Sequence, residues 1–387
     1  MAKENILFEM TRENLETGLR GVPVGYCVTS SVDPHKGLAY VGRPISEIYS
    51  WDPLQAIYLL YFGEEGSKEQ LSKFQQEIAK RSQCKDETLH GIESLPRAGH
   101  PMDLFAAAIL IAGIYELNGN YREDCLNVIA KIPQIAAAVI NHHAGWGKTP
   151  PSNPGLGYME NFTHLLQMPH IDRAKLAPIF KLFNVIHFDH NGGNLSAFVG
   201  KAVASGLAHM YSSLASSLAA LSGPRHGRAN QDCLEFVQEV LEAVGSDATE
   251  DDIARFIRER LNNHKLVFGF GHAVLRVEDP RATVCYEYAK KHFPDHPLIK
   301  IALLLRSEGP KILSENPKIT NPFPNIDAIT GSILMAAGFT YPDYYTVLFG
   351  LSRLVGIAIQ IVYERMEARG GKGVPIMRPL YLYKSRR

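Results

Sequence analysis

Apolar residues recur along most of this chain at helical spacing and alternate only near its start. In residues 18–45, Val, Tyr and Thr alternate around the turn signal Asp33-Pro34-His35-Lys36-Gly37, which predicts short strands. Residues 53–61 form an apolar stretch opening on a proline, suited to the first turn of a helix. Residues 67–81 read as a charged amphipathic helix, and residues 101–117 and 123–140 as buried ones. Residues 144–157 are rich in Gly and Pro and read as a loop. Residues 195–222 are mostly Ala, Ser, Gly and Leu, which lets helices approach closely; a central helix or helix pair is expected. Residues 232–244, 250–262, 287–305 and 325–338 complete the helical pattern. The fold class is all-α, mostly helical with a few short strands near the N-terminus.

Residues 344–363 are apolar enough to raise the question of a membrane span, but Arg353 stands in their middle. At the centre of a bilayer that charge would cost about 2.5–3.5 kcal/mol, so a buried helix of a soluble protein is expected. There the arginine needs an anion, because an unpaired buried charge is costly. Taken alone, the helix favours a structural salt bridge over a ligand carboxylate.

Composition narrows the function. The 387 residues are 45% hydrophobic and 21% charged, and 40 basic side chains balance 40 acidic ones. A net charge of zero argues against nucleic-acid binding and gives no reason to expect a membrane surface. The five cysteines are scattered with no CxxC pair, as expected for reduced thiols rather than a zinc site. The N-terminal stretch has neither an apolar signal core nor an Arg-rich, acid-poor composition, so a cytoplasmic protein, or a form already trimmed, is expected.

Four stretches carry candidate chemistry. Residues 267–281, VFGFGHAVLRVEDPR, place His272 behind a turn made by Gly269 and Gly271, with Arg276 and Arg281 after it. Arginines there suit carboxylate or phosphate. Residues 187–196, HFDHNGGNLS, place His190 beside two glycines and offer Asn194 and Ser196 as helix caps. His187 and His190 lack the further ligands a metal would need. Residues 223–230, GPRHGRAN, set His226 on a turn between arginines. Residues 321–331, NPFPNIDAITG, lead Asp327 into an apolar helix, as an N-cap or as a base. GWGKT at residues 145–149 is not a phosphate loop: the earlier glycine is missing, and Pro150 and Pro151 occupy the place of the helix. Histidines on glycine turns, a carboxylate and several arginines suit proton abstraction next to a carbonyl of an anionic substrate.

With YYTVLFGLSRLVG at residues 344–356, GLRG near the start and MRP near the end, these motifs occur in the order and spacing of the citrate synthase family. The chain resembles most the group that contains the eukaryotic mitochondrial enzymes, and the likeness covers nearly all of it. The resemblance implies a two-domain citrate synthase-like fold: a large domain at residues 1–227 and 339–387, and a small mobile domain at residues 228–338. It implies condensation of acetyl-CoA with oxaloacetate, with no metal or other cofactor. Asp327 would take the methyl proton, His226 would donate to the thioester oxygen, and His272 would polarise the ketone. His190, Asn194, Arg281 and Arg353 would bind the dicarboxylate, with Arg378 reaching in from the second subunit of a homodimer. Arg20 and Arg276, with Gly269 and Gly271, would contact CoA. Arg225 and Arg228 depart from the family pattern, and Arg225 is expected to help keep His226 neutral. The alternatives are a 2-methylcitrate synthase acting on propionyl-CoA and a non-catalytic scaffold; the intact set of His226, His272 and Asp327 argues against the scaffold.

Overall fold

The computed structural model describes residues 6–386. Residues 1–5, part of the stretch inspected above for a leader, and Arg387 lie outside the described residues. The strands β1 (Ser30–Asp33), β2 (Gly37–Tyr40) and β3 (Arg43–Pro44) form a small antiparallel meander, with Ser30 opposite Tyr40 and Tyr40 opposite Arg43. The turn follows from Asp33, whose Oδ1 accepts the N–H groups of His35 (2.8 Å) and Lys36 (2.9 Å), and from Gly37 at φ +84°. Strand structure begins only at Ser30. The glycines upstream bend the chain instead: Gly18 and Gly21 both have positive φ.

Helices follow. α1 (Ile45–Ile48), α2 (Pro53–Phe62), α3 (Lys68–Arg81) and α4 (Asp86–Glu93) come first, then α5 (Pro101–Glu116) and α6 (Tyr121–Ala144). Asp52 caps α2 ahead of Pro53, Ser67 and Gln70 make a capping box on α3, and Asn120 caps α6. After the expected loop come α7 (Tyr158–Leu165) and α8 (Arg173–His187). The run at residues 195–222 is a helix pair, α9 (Leu195–Ser205) and α10 (Met210–Leu221). The break falls at Leu207, in the left-handed region at φ +66°, and His209 caps α10. The pair meets at Gly200, where a Cβ would lie 2.1 Å from Ser217 Oγ.

The second half contains α11 (Ala229–Val244), α12 (Glu250–Asn262), α13 (Pro280–His292), α14 (Pro297–Leu313) and α15 (Asp327–Ala336). The single helix expected at residues 287–305 is two. Pro294 and Pro297 interrupt it, and Pro297 restarts it as the first residue of α14. α11 to α15 pack mainly on one another; Gly331 of α15 lies so close to α11 that a Cβ would be 2.9 Å from Leu234 Cβ.

The last helix, α16 (Tyr345–Val362), is the axis of the remainder. It packs against α6, α8, α9 and α10, and every residue except Phe349 is buried. By length and composition it could cross a membrane, yet nearly all of it is covered by this fold, as expected. Its glycines admit neighbours: a Cβ on Gly356 would sit 2.3 Å from Phe188 O, so the loop before α9 lies directly on the helix.

Candidate active site

The first wall of the cleft is built on α16 and that loop. Asp189 is fully buried. Its Oδ2 accepts hydrogen bonds from Thr29 Oγ1 and Ser30 Oγ (2.9 Å), and its Oδ1 from Gln360 Nε2 (2.7 Å) and the His190 N–H (2.9 Å). This fixes the loop so that the His190 ring is buried with no hydrogen-bond partner for Nε2. Arg353, 1% exposed, donates from Nε to His187 O (3.0 Å) and lies over the Phe349 ring at 4.7 Å. Its Nη1 has no partner. Burial pulls the guanidinium down to about 10; Asp189 pulls it back up and Arg281 repels it. The structural salt bridge favoured from the helix alone is absent: among the described residues no carboxylate lies within 4 Å of Arg353.

His226 stands on the turn between α10 and α11. The turn is closed by His226 N–H to Gly223 O (2.9 Å) and Gly227 N–H to Leu221 O (3.0 Å). A side chain at 227 would collide with Leu221 O, 2.5 Å from the Cβ position. The backbone N–H of Ser196 donates to His226 Nε2 (3.2 Å), and Ser196 Oγ lies 3.0 Å from the same atom. A backbone amide only donates, so Nε2 accepts and the proton of the neutral ring is on Nδ1. Burial, then the charge of Arg353, push His226 down to about 4.

The opposite wall is two loops fastened together. The Gly271 N–H donates to Phe323 O (2.9 Å), the Asn325 N–H to Gly269 O (2.9 Å), and Asn325 Nδ2 to Gly271 O (3.0 Å). Gly269 and Gly271 have φ of +83° and +84°, as the glycine turn predicted. A Cβ at Gly269 would meet Ala328 Cα at 2.9 Å, so this glycine serves the approach of the two loops. His272 Nδ1 accepts the N–H groups of Val274 and Leu275, both at 3.0 Å, which leaves the proton on Nε2. Burial first, then Arg281, hold His272 at about 4. Its ring centroid is 5.3 Å from that of His190, which joins the two walls.

Asp327 is the first residue of α15 and does not cap it. Its own N–H is taken by Asn325 Oδ1 at 3.0 Å, and the N-cap position falls on Ile326. Burial raises its carboxyl to about 6, opposed first by Arg281, with Asp279 raising it further and the Asn230 amide and Arg353 lowering it. Arg281 is buried and held by Asp279, with Nη2 to Oδ2 at 2.6 Å and Nε to Oδ1 at 3.1 Å. Burial disfavours its charge, but Asp279, with smaller help from Tyr40 and Asp327, outweighs this, and its pKa is raised.

The structure thus brings His190, His226, His272, Asp327, Arg281 and Arg353 into one electrostatic neighbourhood. Asn194 accepts from Ser196 Oγ (3.0 Å), one step from His226. Arg276 acts on His272 by charge, and its Nη1 donates to the carbonyls of Val274 (2.9 Å) and Leu275 (2.8 Å). Arg20 and Arg378 are exposed, on the N-terminal turn and the C-terminal arm, and neither is among the charges that act on the cleft. Arg225 also faces solvent; the charge acting on His226 is Arg353, which corrects the role expected for Arg225. Asp189, Asp279, Asn230 and Phe349 were not singled out from sequence. Asp189 and Asp279 stand inside the stretches noted there, beside a histidine and an arginine.

Two hydrogen-bond-fixed neutral imidazoles of opposite tautomer, a buried carboxylate and a buried guanidinium with an unpaired Nη1 stand together here, groups able to exchange protons and to hold an anion. The family model for the citrate synthase C-terminal domain matches residues 18–380. The chain is 36% identical to mitochondrial citrate synthase 4 of Arabidopsis thaliana, over 90% of this chain and 78% of that protein. It is 34% identical to the peroxisomal citrate synthase of Saccharomyces cerevisiae, over 91% and 81%. It is 33% identical to the mitochondrial 2-methylcitrate synthase of Yarrowia lipolytica, over 97% and 84%. The fold is that of citrate synthase from Pyrobaculum aerophilum, with TM-score 0.82 and 25% identity over 95% of this chain and 92% of that one. The enzyme from Thermoplasma acidophilum, solved with carboxymethyl coenzyme A and oxaloacetate, gives TM-score 0.81 at 24% identity over 96% and 97%. This chain belongs to the citrate synthase family. The cytoplasmic placement expected from the N-terminus finds no support in these relatives, whose names place them in mitochondria and the peroxisome.

Proposed function

We propose that the protein condenses acetyl-CoA with oxaloacetate and hydrolyses the resulting citryl-CoA to citrate and CoA. The observation that carries this reading is the distribution of protons in the cleft: Nδ1–H on His226, Nε2–H on His272, and an Asp327 carboxyl at about 6. Asp327 removes a proton from the acetyl methyl while His226 Nδ1–H donates to the thioester oxygen, giving an enol. The enol carbon attacks the ketone of oxaloacetate as the enol O–H returns its proton to His226, and His272 Nε2–H passes its proton to the new alkoxide and regains one from the water of the hydrolysis that follows. Water then displaces CoA as the thiol. An ordinary aspartate has a pKa of about 3.9, so its rise strengthens the base. Each oxyanion donor contributes about 2.7–4 kcal/mol, so base and donor must act together. The reading asks for no metal or resident cofactor, because the side chains and the hydrolytic water hold every proton that moves.

Oxaloacetate supplies the missing partners. Its carboxylates fit Arg353 Nη1, His190 Nε2 and the free edge of Arg281, the groups left bare or half-used in the cleft. The Thermoplasma acidophilum relative was solved with oxaloacetate and a CoA analogue, which supports these substrates. The exposed apolar side chains of the C-terminal arm, such as Leu380, Tyr381 and Tyr383, support a homodimer in which Arg378 completes the partner's site. Residues 228–338, which carry His272, Arg281 and Asp327, act as the small domain that closes over both substrates.

The relation to a 2-methylcitrate synthase favours a second reading, propionyl-CoA as donor, since one methylene in an apolar pocket is worth only about 1–3 kcal/mol. The test is the rate of thiol release with oxaloacetate and either acetyl-CoA or propionyl-CoA, with Asp327→Asn as control. Preference for acetyl-CoA, lost in the variant, is expected. Preference for propionyl-CoA would move the assignment to methylcitrate, and no release with either would leave a binding protein.

A further inference from the structure

Among the described residues the meander β1–β3 is the only sheet in an otherwise helical molecule. A sheet this small is marginal by itself and depends on what it packs against. Its first hairpin, β1 with β2, is held at both ends, and the two ends hold different walls of the cleft. At the base, the paired residues Ser30 and Tyr40 grip the loop of the first wall. Ser30 Oγ donates to Asp189 Oδ2 (2.9 Å) and accepts the N–H of Asn191 (2.7 Å). The Asp189 N–H donates to Tyr40 Oη (3.2 Å). His190 stands between these two anchored residues, and Asn191 after it is in the left-handed region at φ +65°. The base therefore fixes the backbone on both sides of His190. At the tip, Pro34 O accepts the N–H of Arg276 (2.8 Å). Gly37, at φ +84°, lies so close to Pro280 that a Cβ would be 2.6 Å from Pro280 Cδ. Arg276 and Pro280 belong to the opposite wall, in the segment that runs from His272 to Arg281.

The span between the two ends is short and stiff. The ladder runs from the Ser30–Tyr40 pair to the Asp33–Gly37 pair, about 10 Å at about 3.3 Å per residue. Asp33 Oδ1 closes the turn by accepting the N–H groups of His35 (2.8 Å) and Lys36 (2.9 Å). Base and tip therefore move together or not at all. We propose that this hairpin is a strut across the cleft. Holding Asp189 and Asn191 at its base and Arg276 and Pro280 at its tip, it sets where the His272 wall comes to rest against the His190 wall. It thereby sets the spacing of the two imidazoles that receive one oxaloacetate, whose ring centroids are 5.3 Å apart. Ser30 and Gly37 are positioning residues: they act through the histidines, and a side chain at 37 would push the tip off Pro280. Small displacements of groups that position a substrate cost up to about a hundredfold. The strut rests on the reading of His190 and His272 as groups that hold oxaloacetate.

The test titrates oxaloacetate calorimetrically into the full-length protein as wild type, Ser30→Ala, Gly37→Ala and the double variant. Unfolding in urea identifies the variants that fold. Asp33→Ala, which opens the exposed turn, takes the place of Gly37→Ala if that protein does not fold. Each single variant is expected to weaken oxaloacetate binding roughly tenfold. Independent local damage to the two walls would multiply, to about a hundredfold in the double variant. A strut released at one end constrains nothing at the other, so the double variant should bind within about threefold of the weaker single one. A structural role alone would lower stability without coupling the two ends in affinity. Multiplied effects overturn the strut, and so does wild-type affinity in either folded single variant. His190→Gln and His272→Gln test the reading beneath it. Wild-type affinity in either of these removes that ring from the oxaloacetate site and overturns that reading instead, so the two failures are told apart.

Discussion

The cleft holds two buried arginines in opposite condition. Around Arg281 the scaffold supplies an anion, Asp279, whose carboxylate caps α13 through the Arg281 N–H (3.0 Å) and grips the guanidinium of the same residue. Around Arg353 it supplies a carbonyl, an aromatic face and an Asp189 already engaged by Thr29, Ser30, Gln360 and the His190 N–H. One charge is neutralised on folding and raised in pKa; the other is left short of partners and pulled down to about 10. The difference divides two duties: Arg281 is anchored by the fold and offers a ligand only its free edge, whereas Arg353, whose needs the fold does not meet, is the one expected to gain most from a ligand.

The largest effect should come from breaking the satisfied pair. Asp279→Ala leaves Arg281 buried without its counter-ion, and a loss of about 3–5 kcal/mol in unfolding free energy is expected. Arg353→Leu should do the reverse to the free protein. It removes an uncompensated charge, so denaturation without ligand should show equal or greater stability. Its cost belongs to binding: about 2–5 kcal/mol on the interaction with oxaloacetate, as for one member of a buried pair. A thermal shift makes the contrast direct. At a hundred times its dissociation constant oxaloacetate should stabilise the wild type by about 2.7 kcal/mol, and Arg353→Leu should show almost none of this at the same concentration. If Arg353→Leu destabilised the free protein as much as Asp279→Ala does, the contrast would collapse.

Sequence revealed these two arginines unequally. Arg281 stands in a Gly-His-Arg stretch that reads as a site, whereas Arg353 was conspicuous only as a charge in an apolar helix. The condition of Arg353 could not be read in advance, because it depends on groups far along the chain, whereas the anion of Arg281 stands two residues before it. Thr29 and Ser30 reach Asp189 across about 160 positions, and Ser196 fixes the tautomer of His226 across 30. What was legible is local. The Asp33 turn, the proline start of α2, the loop at residues 144–157 and the positive φ of Gly269 all follow from residues acting on their own backbone. The long small-residue run could not show its break, because Leu207 adopts a left-handed conformation that its identity does not favour. Asp327 shows the limit from the other side: its place ahead of an apolar helix suggested a cap, yet it lies inside the helix and its own N–H is taken by Asn325 Oδ1.

Asp327 also sharpens the comparison through pH, with a smaller effect. Its pKa is raised on folding, from 3.8 to about 6. Between those values the folded state holds more proton than the unfolded one, so this group lowers stability as pH rises through the window. Above about pH 6 the cost is fully present. Asp327→Asn should therefore stabilise the free protein at pH 7, by roughly 1–3 kcal/mol, and lose that advantage near pH 4, while abolishing turnover. His226 runs the other way. Its pKa is lowered to about 4, so the folded state loses stability as pH falls from about 6.5 toward 4. Chemical denaturation across pH 4–7 reads both signs. An Asp327→Asn protein less stable than wild type at pH 7 would mean that the carboxylate is held favourably, and the strength ascribed to the base would go with it.

The smallest expected effect concerns the charge closest in sequence to His226, the proposed proton donor. Arg225 precedes His226 directly, yet its side chain faces solvent, and the cation that disfavours imidazolium in His226 is Arg353, 127 positions later. At a solvent-exposed position screening reduces a charge's reach to about 8–10 Å at ordinary ionic strength and weakens it within that range. Arg225→Leu should then leave kcat and the acid limb of the pH profile where they are in the wild type. Arg228 is also exposed and lies 3.8 Å from Asp232, so Arg228→Leu should change as little. A downward shift in kcat at neutral pH with a raised histidine pKa in Arg225→Leu alone would show that the solvent-facing arginine reaches the imidazole after closure of the cleft. An unchanged profile at low salt, where exposed charges act most strongly, would leave Arg353 as the group that both awaits the substrate's carboxylate and keeps the donor histidine neutral.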